Sequence, residues 1–312
     1  DIISSDDLEF SSEIEKSVFK RKMGVHQRRS SNGKLTAKDL GASALKNLLN
    51  GLQWAPNDID VLISITQTPD YTVPGNSYLY QKGIGLSKNC QLVDLNYGCT
   101  GFIQGLLAAY SYGEFLNASK ILMVVGDTDI LTSESQPESY KLMGDTVCAI
   151  ALERTGATDV IFKIAQDGEY YEAICSLKSA SRSISNQEET RPQVHMNGES
   201  IQSYITNFVL KYLVEFESSL TLPNDWIFMH QPNLMFHQYI VKKMKWDKEK
   251  CPTVIENFGN VSSAMIPLTI QKNQFLLQEN NIVSLISFGV GLSFAAVQMS
   301  LSPLVYSSEI EC

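Results

Sequence analysis

The chain has no CxxC pair, no low-complexity tract and no apolar run long enough to cross a bilayer. Its six cysteines stand scattered at positions 90, 99, 148, 175, 251 and 312. That spacing offers neither a zinc site nor a disulfide framework, and it suits a reducing cytosol. A membrane-spanning helix needs about 20 apolar residues in a row and a secretory leader needs a basic-then-apolar opening. Neither pattern is visible, so a cytoplasmic protein without membrane attachment is expected. Positive charge is short as well: 25 Lys and Arg stand against 34 Asp and Glu, for a net charge of -9 and a sequence pI near 5.0. Such a balance argues against a nucleic-acid binder. What is present is a 312-residue chain, 44% hydrophobic, able to bury a large core as one double-sized unit or two domains.

The stretch CQLVDLNYGCTGF, residues 90–102, organises the chemistry. Gln91, Leu92, Val93 and Leu95 fit a buried strand, and Thr100 to Leu116 fits a helix. Cys99 sits at the join, between two glycines that let the backbone turn. A thiol in the first turn of a helix feels the partial positive charge of unpaired N–H groups, which favours thiolate. A lone buried Cys is more often a small hydrophobe, so Cys99 needs partners. The run IFMHQPN (227–233) delivers His230 to the end of an apolar strand, and NFGNVSSAMIP (257–267) carries Asn260 in a Gly-, Asn- and Ser-rich turn. A Cys with a distant His and Asn, gathered by the fold, is a recognised nucleophilic constellation. Taken singly, His230 reads as a satisfied core histidine and Asn260 as a turn residue. His195 and His237 read as structural.

These three segments together resemble those of the ketoacyl-acyl-carrier-protein synthase III family, condensing enzymes of the thiolase fold, and the resemblance covers nearly the whole chain. It implies an α/β thiolase fold with two pseudo-duplicated βαβ halves in a five-layered α-β-α-β-α arrangement. The halves fall at 1–157, with the nucleophile, and 158–312, with the His and Asn. It also implies decarboxylative Claisen condensation. Cys99 would hold an acyl primer, His230 and Asn260 would donate to the enolate of a malonyl thioester, and the backbone N–H groups of Cys99 and Val290 would hold the acyl oxygen. Val290 departs from the glycine usual there, and a β-branched residue restricts the backbone that presents the N–H. No metal and no cofactor is implied. The partners implied are acyl carrier protein, acyl and malonyl thioesters, and a second copy of the chain, which the TPDYTVPG loop would reach.

Along the chain, Asp1 to Lys22 reads as a helix with no strand before it, and GVHQRR (24–29) as a turn into a basic loop. Thr36 and Asp39 form a capping box for a helix with Leu40, Leu45, Leu48, Leu49 and Leu52 on one face. Strands are expected at 60–68, 121–128, 144–153 and 159–166, with a Ser-rich loop at 132–140, a long helix over 201–216, and two apolar stretches around Gly289, Val290 and Gly291. Alternation of strand and helix predicts a mainly parallel sheet.

The donor site departs from the family pattern. Val18 and Pro137 stand where a tryptophan and an arginine commonly sandwich the adenine of coenzyme A, and Lys22 keeps the charge of a phosphate-contacting arginine without its fork. The resemblance therefore implies a donor other than simple acetyl-coenzyme A, carrier-bound or longer, in fatty acid or specialised metabolite (polyketide-type) biosynthesis. Lys242 and Lys243, in VKKMKWDKEK, offer a basic face for an acidic carrier protein, although lysine runs are commonly just solvated. Asn233 is placed to contact the phosphopantetheine arm. Other readings are a starter-unit acyltransferase of the same fold without condensation, a papain-like hydrolase, for which the CGSCW-like signature is missing, and a silent subunit, for which the trio would be broken.

Overall fold

The computed structural model describes residues 1–128, 137–154, 159–176 and 194–309, excepting the side chains of 137–139 and 195. Most of the expected Ser-rich loop, 132–136, lies outside these residues.

The chain begins with β1 (Ile2–Ser4), which pairs antiparallel with β2 (Gln27–Arg29) around α1 (Glu13–Met23). A strand thus precedes the first helix, the helix is shorter than expected, and the second half of GVHQRR is strand rather than loop. The reason is local. Ser12 accepts a hydrogen bond from the Glu15 N–H, fixing the helix start with Glu13 and Glu15 in its first turn, and Gly24 at φ 80 ends it in the left-handed region.

Next come α2 (Ala37–Leu52), β3 (Val61–Ile65), α3 (Asn76–Ile84), β4 (Gln91–Leu95), α4 (Gly101–Phe115), β5 (Lys120–Asp127), α5 (Pro137–Leu142) and β6 (Thr146–Glu153). The capping box forms as expected, with Thr36 and Asp39 each bonding the other's backbone. The second part holds β7 (Ile161–Gln166), β8 (Ile174–Cys175), β9 (His195–Met196) and α6 (Gly198–Tyr204). A π-helical segment (Ile205–Val209) joins α6 to α7 (Leu210–Ser219). The chain continues through β10 (Trp226–Met229), α8 (Leu234–Met244), α9 (Ile255–Phe258), α10 (Met265–Lys272), β11 (Asn281–Gly289) and β12 (Ser293–Leu301).

Two four-stranded sheets result, ordered β4-β3-β5-β6 and β10-β11-β12-β7. They are mixed, not mainly parallel. β3 runs parallel to β4 and β5, and β10 to β11, whereas β6, β12 and β7 join antiparallel. The cause lies in the connections: β12 follows β11 by a tight turn, which can only reverse the chain, while the helical crossovers give the parallel pairs. The trios β3-β5-β6 and β10-β11-β12 repeat one pattern, a parallel pair followed by an antiparallel strand, so the duplication is visible in topology.

Alternation along the strands builds the layers. Val61, Ile63 and Ile65 of β3 and Ile121, Met123 and Val125 of β5 face α4, where they meet Phe102, Ile103 and Leu106. The same core takes in Ile266 and Ile270 of α10 and Leu285, Ala295 and Val297 of the second sheet. Leu62, Leu122 and Val124 point the other way, onto Leu45, Leu49 and Tyr80 of α2 and α3. Ile227, Met229, Ile286, Phe294 and Ala296 face the α6–α7 rod and α8. The order is helix, sheet, helix, sheet, helix, with α4 and α10 in the middle layer. Among the described residues no helix is long and apolar enough to cross a membrane.

α4 lies unusually close to its sheet. A methyl group on Gly105 would stand 2.3 Å from Ile65 Cδ1 and 2.8 Å from Met123 Cε, and one on Gly101 would stand 2.6 Å from Ile65 Cγ2. Because Ile65 and Met123 are buried, they have nowhere to go. Gly105→Val is expected to lower unfolding free energy by about 1–3 kcal/mol through overpacking. Urea titration checks this, and an unchanged midpoint would mean that the helix does not sit where described.

Candidate active site

Three elements of the middle and C-terminal layers deliver the expected residues. Beyond β4, a short 3₁₀ turn (Gly98–Thr100) leads into α4, and Gly98 takes φ 53 to make the corner. Cys99 is held on this turn by Ser287, whose hydroxyl donates to the Cys99 carbonyl at 2.5 Å, while Thr100 Oγ1 and Ser293 Oγ lie 3.0 Å apart. His230 is the first residue past β10, and its N–H donates to the Ile286 carbonyl of the neighbouring β11 at 2.8 Å. Asn260 follows α9, pinned from both sides by its backbone: its N–H donates to Leu142 O at 2.8 Å and its carbonyl accepts from Gly144 N at 3.0 Å. Gly259 makes this possible, because it adopts φ 68 and a Cβ there would meet Leu142 O at 2.6 Å.

All three side chains converge on Ser262. Its hydroxyl lies 3.9 Å from Cys99 Sγ, its N–H donates to Asn260 Oδ1 at 2.9 Å, and its backbone acts on the His230 imidazole, favouring the charged ring against burial. Ser262 itself sits at φ 49, a left-handed conformation that a non-glycine residue adopts at a cost. Sequence reading took GNVSSA for a turn around Asn260 and missed Ser262. A serine in a run of small residues carries no signal for a strained backbone.

The electrostatics reverse one expectation. Cys99 keeps partial access to solvent, yet the protein packed around it pushes its thiol pKa up, with the nearby Asp127 carboxylate adding to the effect. Hydrogen bonds from the Val290 N–H, the Ser262 hydroxyl and Cys99's own N–H oppose this rise without overcoming it. Although α4 follows the turn directly, desolvation of the charged form wins. Cys99 is therefore a thiol near neutral pH. Burial also pushes His230 down to about 4, so its ring is neutral near pH 7. The ring stands edge-on to Phe288 at 5.8 Å between centroids, and its Nδ1 has no hydrogen-bond partner among the described residues. Asn260 Nδ2 has only a long contact, 3.4 Å to Pro232 O, which leaves the amide free to donate elsewhere. Val290 orients its N–H at the sulfur, so the β-branched side chain is compatible with that backbone.

The other expected site residues lie apart from this cluster. Asn233 is the N-cap of α8, its Oδ1 accepting from the Phe236 N–H at 2.9 Å, so that oxygen is committed to the helix. Lys22 is exposed in the last turn of α1, and Lys242 and Lys243 are exposed in the last turn of α8. Val18 is half-buried on α1, and Pro137 opens α5 with its side chain outside the described residues. His237 is buried in α8 with Nε2 unpartnered among the described residues, and burial holds it near pKa 4.

Comparison with known proteins agrees with this architecture. Residues 224–301 match the family model for the C-terminal part of 3-oxoacyl-[acyl-carrier-protein] synthase III. A putative 3-oxoacyl-[acyl-carrier-protein] synthase 3 of Campylobacter jejuni is 28% identical over 97% of this chain and 91% of its own length. A beta-ketoacyl-[acyl-carrier-protein] synthase III of Clostridium perfringens is 29% identical over 91% of this chain and 90% of its own. The crystal structure of a 3-oxoacyl-(acyl-carrier protein) synthase from Burkholderia xenovorans superposes on the whole chain with a TM-score of 0.92 at 26% identity, covering 93% of that protein. The layers described above are those of the thiolase fold.

Two outcomes follow from this geometry. A methyl group on Gly289 would lie 2.8 Å from Cys99 Sγ and 2.7 Å from its Cβ. Gly289→Ala should therefore slow thiol alkylation at Cys99 by about tenfold or more, since a misplaced reacting atom costs rate steeply; an unaltered rate by intact-mass assay would contradict the contact. His230 and His237 both have folded pKa values near 4, below the ordinary 6.5. The unfolded chain takes up protons first as pH falls, so stability is lost between about 6.5 and 4. By pH 5, His237 should contribute about 2 kcal/mol of that loss. Melting His237→Gln against wild type from pH 7 to 5 should show a shallower decline in the variant, whereas parallel curves would refute the assignment.

Proposed function

We propose, from the premise that the chain is an acyltransferase of the 3-oxoacyl-acyl-carrier-protein synthase III kind, that Cys99 is primed by an acyl thioester and passes the acyl group to a decarboxylating malonyl-type thioester. The observation that carries this reading is the convergence of thiol, imidazole and carboxamide on Ser262. In the first half-reaction the Cys99 sulfur bonds to the thioester carbonyl carbon as its proton passes to the neutral His230 ring. The N–H groups of Cys99 and Val290 hold the developing oxyanion, and the donor thiol leaves with a proton. In the second, the malonyl carboxylate departs as carbon dioxide and charge builds on the thioester oxygen. His230 and Asn260 donate to that oxygen, each donor being worth about 3 kcal/mol. The resulting carbanion attacks the acyl carbon, sulfur leaves, and a 3-oxoacyl product forms.

Supply of both substrates by an acidic carrier protein is supported by the exposed cations of α8, Lys242 and Lys243, on a chain otherwise rich in carboxylates. Val18, too small to stack a purine, supports a donor other than acetyl-coenzyme A, in fatty acid or specialised metabolite biosynthesis in the cytoplasm. A homodimer is supported by the outer edge of β4, which no strand among the described residues pairs, together with the exposed Tyr71 and Val73 of the neighbouring loop.

Intact-mass spectrometry after mixing with acyl-coenzyme A and acyl-carrier-protein panels should show one acyl adduct, absent in Cys99→Ala; no adduct from any donor would sink the reading. Asn260→Ala should keep the adduct but slow release of carbon dioxide from the malonyl thioester by about 10²–10³-fold. An adduct without carbon dioxide release in the wild type would instead mark a starter-unit acyltransferase. Paired charge reversal, Lys242→Glu with Lys243→Glu, is expected to raise KM for carrier-bound substrate several-fold and leave small thioesters untouched.

A further inference from the structure

Asp127 closes β5, a strand whose other interior residues are apolar, and only 1% of its surface is exposed. Burying a carboxylate costs several kcal/mol unless hydrogen bonds replace its water. Here they come from four donors. Oδ1 accepts the Gln67 N–H at 2.6 Å, the Thr66 hydroxyl at 2.8 Å and the Thr68 hydroxyl at 3.4 Å, and Oδ2 accepts the Ser263 hydroxyl at 3.5 Å. Among the described residues no cation pairs with it.

The partners of this carboxylate are the two walls of the reactive cluster. Gln67 Oε1 accepts from the Ser262 hydroxyl at 3.4 Å. The same side chain packs under Gly98, where a Cβ would meet its Nε2 at 3.1 Å. Ser263 is the immediate neighbour of Ser262. The ionisable groups coupled to Cys99 from the elements around it are Asp127 of β5 and Tyr204 of α6. Burial pushes the Asp127 carboxyl pKa up, and the hydrogen bonds from Gln67, Thr66 and Thr68 oppose that rise.

We propose that Asp127 is a positioning residue for the nucleophile: its hydrogen bonds tie the Thr66–Gln67–Thr68 segment to the Ser262–Ser263 turn, so that Ser262 is held beside Cys99 and Gln67 beneath Gly98. The proposal rests on reading Cys99 as the acyl acceptor. Asp127→Asn keeps the Oδ1 acceptor and removes the charge, while Asp127→Ala removes every bond.

The test is alkylation of Cys99 by iodoacetamide between pH 6 and 10, followed by intact mass with Cys99→Ala as control, alongside acylation by the best thioester donor. Loss of every bond loosens Ser262 and Gln67 beside the sulfur, so the alkylation profile of Asp127→Ala should shift by about half a pH unit or more, with Asp127→Asn shifting less. Acylation of Asp127→Ala should fall by about tenfold or more, with Asp127→Asn recovering part of the loss. A profile within about 0.2 pH unit of wild type, or acylation within about twofold, in Asp127→Ala overturns the positioning role. If Asp127→Ala does not fold, Ser263→Ala, which cuts the tie to the turn alone, takes its place with the same limits. Alkylation needs no acyl donor, so a chain that never acylates still reports on Asp127.

Discussion

The hydroxyl, N–H and backbone of Ser262 reach toward a sulfur, a carboxamide and an imidazole that come from three separate parts of the chain. For one residue to face all three, its backbone must take the left-handed φ of 49, a conformation held in place by what surrounds it. On one side, Asn260 is laced into the Leu142–Gly144 segment by two backbone hydrogen bonds. On another, α10 begins at Met265, only three residues on, and is buried over nearly its whole length. The turn is thus clamped between a loop of the first half and a core helix of the second, and the reactive cluster depends on both halves.

Close packing sets the other side of the cluster. The nucleophile turn is pressed toward β11 until Gly289 touches the Cys99 side chain, and α4 is pressed onto β3 through Gly101 and Gly105. The small residues serve distance rather than flexibility at these points. With α4 fixed to one sheet and the turn held by Ser287 from the other, the sulfur cannot move relative to either without disturbing an apolar core. Preorganisation of this kind is what lets hydrogen-bond donors act at no cost in reorganisation when charge develops.

Much of this was legible in the residues because the signals were periodic or local. The capping box at Thr36 and Asp39, the buried faces of α2 and of the α6–α7 rod, and the apolar runs of β3, β5 and β10 all follow from spacing alone. The mixed sheet was not, because strand direction depends on which neighbours pair and the tight β11–β12 turn had to be weighed against the helical crossovers. β1 was missed for a different reason: three residues give no alternation to detect, and its pairing partner lies 25 residues on. Ser262 and Asp127 were invisible in the same sense. One is a small residue in a turn and the other a carboxylate at the end of an apolar run, and each acquires meaning only from partners far away in sequence.

The thiol expectation failed for an instructive physical reason. Position at a helix start favours thiolate by an amount that depends on how many aligned peptides stand behind the sulfur and on how much water remains around it. At Cys99 the packed protein strips water from the charged form and the Asp127 carboxyl adds to the effect, and together they outweigh the start of α4. A site that keeps its sulfur protonated and its imidazole uncharged separates no charge while empty. In the proposed reaction, charge appears only when a thioester is in place to accept the sulfur, which would confine nucleophilic reactivity to the moment of acyl transfer and spare a partly accessible cysteine from adventitious electrophiles. In that reaction the burial that raises the thiol pKa would also strengthen the proposed hydrogen bonds of Val290, Cys99 and Asn260 to an oxyanion, so the cost in the resting state and the gain in the transition state would have a single origin.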